Sequence, residues 1–208
     1  MIVSNSRKFI YLRVPRTGST SLSNFLIEHL EFCRDSDFHA PVPYNGITGL
    51  NFSAAESAHA NLDDILGYGI LKYPLSDYSV FGVIRDPVDR FLSSAWHACQ
   101  HQGVEAMDNN QAVMFAWQAG SPSAPIFRPQ TAWLLHERKP IDKIFAYEHL
   151  DRLAQEILGS GQARVTFRHR SDSRKHRSSD LDDSLKRKIL TMYQDDQDLY
   201  ERVLARGG

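Results

Sequence analysis

The chain has 208 residues, 42% of them apolar, with 24 lysines and arginines against 25 aspartates and glutamates. That length and apolar content suit a single domain with a real core, expected to occupy residues 1–208. The near-zero net charge supplies no global field to draw the molecule onto nucleic acid or an anionic membrane, so any anion site must be local.

The first predicted element is a buried strand, Phe9-Ile10-Tyr11-Leu12. Leu22, Phe25, Leu26 and Leu30 then recur at helical spacing, so the polar stretch Arg13–Ser21 between them is a strand-to-helix turn. Such a turn aims free backbone N–H groups and the positive end of a helix dipole at one point, which suits an anion. Gly18 allows close backbone approach, Arg16 adds a planar cation, and the hydroxyls of Thr17, Ser19, Thr20 and Ser21 add donors. Serine and threonine also serve as plain helix caps, and this stretch alone leaves the two roles evenly balanced. With one glycine and no Gly-Lys-Ser/Thr, it is not a Walker A loop.

Residues 34–57 carry Pro41, Pro43, Asn45-Gly46 and Gly49 without a sustained period, so a long irregular segment is expected there, a candidate substrate-facing wall. It holds His39, and His59 follows just before a short helix-like run, Leu62–Leu66. Histidine suits general-base work near neutral pH, although most of nine histidines in one chain are structural or exposed.

Val80–Ile84 reads as a second buried strand, followed by a polar turn at Arg85 and a helix entered at Pro87 with Phe91, Leu92, Ala95, Trp96 and Cys99 on its apolar face. In a parallel sheet both polar turns fall at the carboxyl edge, where open α/β sheets bind ligands. Arg85 and Ser93 can then clamp one phosphate; the plainer roles are an ion pair of Arg85 with Asp86 or Asp89 and an exposed helix position for Ser93.

Ala112–Trp117 is helix-like and Gly120–Pro125 a turn. Lys143–Tyr147 reads as a third buried strand, with a helix from Glu148 to Leu158 closed by Gly159. Arg168–Arg177 is the one concentrated basic run, commonly a solvated loop. From Leu181 a helical segment carries Leu185, Ile189, Tyr193, Leu199, Tyr200, Val203 and Leu204 as a packing stripe, interrupted by an acidic break and capped by Ser179 or Asp180. Two cysteines, Cys33 and Cys99, are too few for a disulfide framework and sit in no metal spacing. With no signal-peptide segment and no membrane-length run, a cytoplasmic protein without a membrane partner is expected.

The two polar turns, in order and each after a strand, resemble those of the PAPS-dependent sulfotransferases, in particular the carbohydrate-type branch and its bacterial relatives. Val14–Leu22 is similar to their 5′-phosphosulfate loop, and Val83–Ser93 to their 3′-phosphate motif, Arg-x-Pro-x-x-Arg-x-x-Ser. Weaker matches are Gln130–Leu134, Phe145–Leu150 and Tyr193–Tyr200. Two positions depart from the pattern: Arg16 stands where the family usually has lysine, and the aromatic expected near Ala95 is Trp96.

The resemblance implies a three-layer α/β fold with a mostly parallel central sheet, similar to the P-loop kinases. The donor it implies is 3′-phosphoadenosine 5′-phosphosulfate (PAPS), with adenosine 3′,5′-bisphosphate as product and no metal. It assigns Arg16–Ser21 to the 5′-phosphosulfate, Arg85 and Ser93 to the 3′-phosphate, Arg16 to the leaving oxygen, and Arg174 and Lys175 to a loop over the nucleotide. The acceptor is a hydroxyl of a carbohydrate or other small metabolite. For the base, His59 is preferred over His39, because Ala58-His59-Ala60 looks like the relatives' Lys-His-Ala stretch. Two other classes fit the same architecture: a nucleotide kinase and a catalytically silent nucleotide binder.

Overall fold

The computed structural model describes residues 1–32, 38–39, 59–105, 108–120, 124–159 and 178–207. Its main sheet has five strands: β1 (Ile2–Ser4), β2 (Phe9–Leu12), β3 (Phe38–His39), β4 (Ser79–Ile84) and, after a small hairpin of β5 (Leu135–His136) and β6 (Lys139–Pro140), β7 (Lys143–Ala146). The order is β3-β1-β2-β4-β7, with β2, β4 and β7 parallel and β1 antiparallel to both neighbours. Four of the five strands therefore point the same way. β1 is reversed because only Asn5–Lys8 join it to β2, far short of the crossover that a parallel pair needs.

Strand alternation sorts the core into two faces. Ile10, Leu12, Val80 and Ile84 face one side, where α2 (Leu62–Gly67), α5 (Thr131–Leu134) and α8 (Gln194–Ala205) cover them. Phe9, Tyr11, Phe81 and Val83 face the other, under α1 (Ser19–Phe32) and α6 (Leu150–Leu158). These are the three layers expected. Gly82 permits the close approach on the first face: a Cβ there would collide with Leu134 and lie 2.9 Å from Ile141 Cδ1. A third apolar cluster joins α3 (Pro87–His101), α4 (Asn109–Gln118) and α7 (Asp183–Met192), with Phe127 buried among them.

Several local expectations change. β1 and the β5–β6 hairpin are additions, because strands of two or three residues are too short to show a period. The last helical segment breaks at Tyr193 rather than at the acidic residues, since Asp195 and Asp196 sit in the first turn of α8, where negative charge complements the helix dipole. Ser179 and Asp180 form a 3₁₀ turn and do not cap α7, which starts at Asp183. Leu204 is 39% exposed and leaves the packing stripe. Of the long segment 34–57, Phe38–His39 is described, as a strand; the rest lies outside the described residues. Gly159 closes α6 in the left-handed region, φ 67°. Among the described residues no helix is long and apolar enough to cross a membrane.

Candidate functional site

β2 ends at Leu12 and the chain turns through Arg13–Gly18 into α1. Val14 N donates to Leu12 O at 3.1 Å, and the buried Thr17 donates its Oγ1 to Val14 O at 2.9 Å, so that hydroxyl closes the turn on itself. Arg16 and Gly18 are both left-handed, at φ 65° and 73°. Glycine bears this freely, whereas at Arg16 it costs roughly 1–2 kcal/mol. Turns of this kind gather backbone N–H groups into an anion-binding concavity. α1 begins at Ser19, so the N–H groups of Ser19, Thr20 and Ser21 belong to its unsatisfied first turn and add the positive end of a long helix.

The second strand delivers its residues to the same place. Arg85 follows β4 directly, and its Nη1 donates to Arg16 O at 3.3 Å while the guanidinium lies 4.7 Å from the centre of the Tyr147 ring. Asp86 caps α3 by accepting from Asp89 N at 2.9 Å. Ser93, half-buried two turns into α3, accepts from Arg16 Nε at 3.1 Å and Nη2 at 3.0 Å. Arg16, Arg85 and Ser93 thus meet at the carboxyl ends of β2 and β4. Neither arginine forms an ion pair with a described carboxylate. Burial, reinforced by the Arg85 charge, pushes the Arg16 guanidinium down to about 10. Two cations held this close, without a described carboxylate between them, form a site that a bound polyanion would stabilise.

Two residues not singled out as site residues support this arrangement. Arg90 is 1% exposed and donates to three carbonyls: from Nε to Pro15 O at 3.2 Å, and from Nη2 to Ile126 O at 3.1 Å and Arg128 O at 2.6 Å. Burial lowers its pKa, with nearby Asp196 acting in the opposite direction. An arginine between Val88 and Phe91 on an apolar helix face was the available signal. Gln130 had none beyond its place in a weak motif match; it brackets Arg85, accepting from Arg85 N at 2.9 Å and donating to Arg85 O at 2.8 Å.

His59 lies at the same edge. Its Nδ1 is 2.6 Å from Arg13 O, and because a carbonyl only accepts, the proton is on Nδ1 and the lone pair of the neutral ring is on Nε2. Trp133 Nε1 fixes the backbone by donating to His59 O at 2.6 Å. Burial is the main reason the imidazole pKa falls to about 4; the Arg13 carbonyl bond opposes it, and the positive charges of Arg13 and Arg16 add to it. His39 is placed differently. Its backbone pairs with Val3, which in turn pairs with Ile10, so it sits two strands from β2 and two residues short of that strand's end. Arg174 and Lys175 lie outside the described residues.

The sequence profile described as "Sulfotransferase family" matches residues 1–121, a span that contains the Arg13–Ser21 turn, His59, Arg85 and Ser93. No curated protein and no solved structure matches. The matched span is more than half of the 208 residues, and within it both polar turns leave parallel strands at one sheet edge, so the chain belongs to the sulfotransferase family.

Proposed function

We propose that the protein transfers a sulfonyl group from PAPS to a hydroxyl of a carbohydrate or another small metabolite. The observation that carries this reading is the convergence of Arg16 and Arg85 on the mouth of the Arg13–Ser21 turn. The residues fit a polyanionic nucleotide, since the N–H-lined turn carries Arg16, which bonds Ser93, and Arg85 reaches the same turn from the end of β4. The backbone of Thr17–Ser21 would hold the 5′-phosphosulfate, and Arg85 with Ser93 the 3′-phosphate. When bound, the donor supplies an activated sulfonyl group, and adenosine 3′,5′-bisphosphate is what remains.

The chain supplies charge and a proton acceptor. Arg16 offers fixed donors where negative charge grows on the leaving oxygen, a task that needs a cation and not a titratable amine. His59 takes the acceptor proton on Nε2, the nitrogen left free by the Nδ1 bond to Arg13 O. A ring with a pKa near 4 is unprotonated at neutral pH but a weak base. Negative charge from a bound donor would offset Arg13 and Arg16 and raise it toward the useful range. His39 is the less suitable base, because its backbone lies away from the strand end where His59 sits.

Thermal shift with adenosine 3′,5′-bisphosphate against ATP plus magnesium, followed by donor turnover over an acceptor panel read by mass spectrometry, tests the reading. Stabilisation by the bisphosphate and sulfonated product are expected. A preference for ATP plus magnesium would favour the kinase class, and binding without turnover over a panel that includes the natural acceptor would favour a silent binder.

A further inference from the structure

We propose that Gln130 and Asp196 are positioning residues that fix Arg85 for the nucleotide's 3′-phosphate, which makes α8, beyond the matched span, part of donor recognition. The inference rests on the assignment of Arg85 to that phosphate.

The last paired residues of the sheet at this point are Ile84 and Ala146. Arg85 lies one residue further on, where no strand neighbour remains for its N–H and carbonyl. Gln130 takes the place of that neighbour: Oε1 accepts from Arg85 N at 2.9 Å and Nε2 donates to Arg85 O at 2.8 Å. A side-chain amide carries an acceptor and a donor on one rigid plane, whereas an ionised glutamate cannot donate and leucine can do neither.

Gln130 is itself fixed. It is 0% exposed, and its backbone N donates to Asp196 Oδ2 at 2.7 Å while Thr131 N donates to Asp196 Oδ1 at 2.9 Å. Asp196, also 0% exposed, uses both carboxylate oxygens on the start of α5. Bonds from N–H to an ionised carboxylate are among the stronger ones available to a protein. Binding geometry tolerates only about 0.5 Å of error. The Asp196–Gln130–Arg85 series supplies that tolerance from the C-terminal end of the chain, because the backbone of Arg85 sets where its guanidinium starts. The Tyr147 ring and the Arg16 carbonyl then guide the rest of the side chain.

The test measures affinity for adenosine 3′,5′-bisphosphate and for AMP by calorimetry on the full chain, in Gln130→Met, Arg85→Ala and the double variant. Gln130→Met should weaken the bisphosphate about fivefold to tenfold, as for partial loss of one charge-assisted bond when Arg85 is misaligned, and leave AMP within about twofold. In the Arg85→Ala background the same substitution should have no further effect on the ratio of the two affinities. Equal losses for both nucleotides, or a loss that persists without Arg85, would overturn the proposal. An Arg85→Ala variant with an unchanged ratio would instead remove the 3′-phosphate assignment on which it rests. Should Gln130→Met fail to fold, Asp196→Asn, which keeps one of the two acceptor oxygens, is judged by the same ratio and the same criteria.

Discussion

Arg90 offers the sharpest test of how the site is held. Replacing it with leucine keeps an apolar helix face but leaves Pro15 O and Arg128 O without their donor, while Ile126 O keeps only the bond from Ser94 Oγ at 3.2 Å. Hydrogen bonds to a charged group contribute about 1.5–3 kcal/mol each, net of desolvation, so three suggest about 4.5–9 kcal/mol before relaxation. Water can reach the Ile126 and Arg128 carbonyls more easily than the deeper Pro15 one, and effects within one cluster do not add, so about 3–5 kcal/mol is the expected loss. Asp196, whose charge Arg90 balances, pushes the value toward the upper end. Against a total of about 5–15 kcal/mol this is a large fraction of the fold's stability. Urea denaturation with an unchanged slope measures it, and Arg90→Lys should recover less than half, because one ammonium cannot replace a fork that spans three carbonyls. Bisphosphate affinity should fall as well, since the Pro15 carbonyl immediately precedes Arg16. A loss under about 1 kcal/mol, or full recovery by lysine, would show that Arg90 is not the tie that the geometry indicates.

Two further outcomes are expected. Arg16→Lys should retain substantial turnover, while Arg16→Ala should lose kcat more than donor affinity; a large gain in Arg16→Lys would mark the natural protein as a weakened enzyme, as single-turnover measurements would show. His59 and His97 are both held neutral to about pH 4 in the folded chain, each chiefly by burial, against 6.5 when unfolded. Between those values the unfolded state binds more protons, so stability should rise with pH through this window and fall on acidification from 6.5 toward 4. Urea midpoints at pH 7 and pH 5 check this, and the difference should shrink in a His59→Ala, His97→Ala double variant; an unchanged difference would refute it.

Much of the site was readable because its two turns are local. A strand, a polar turn and a helix are set by residues close in sequence, and both Arg16 and Arg85 announce themselves by position after an apolar run. What could not be read is the set of ties between distant segments. Nothing near Gln130 shows that its amide will face Arg85, 45 residues earlier, or that Asp196 will reach back 66 residues to hold it. The same limit explains β1 and β3: β1 pairs because β2 is already there and β3 because β1 is, and strands of two or three residues carry no period of their own. His59 lies between these cases, since its residue type was suggestive while its tautomer depends on the Arg13 carbonyl 46 residues earlier.

The departure at position 16 takes on a different meaning beside Ser93. A lysine there could place one ammonium near the serine hydroxyl, but Arg16 reaches it with Nε and Nη2 together, and its own carbonyl receives Arg85. The left-handed backbone at Arg16 is the cost of this arrangement, and it aims the side chain across to α3. Arginine therefore links the turn after β2 to the helix after β4. Ser93 accepts from Arg16 with its oxygen lone pairs, so its own O–H stays available as a donor. Under the proposed assignment that hydroxyl can bond a phosphate oxygen while the Arg16 link stays intact, so the arginine at position 16 is compatible with Ser93 serving the nucleotide.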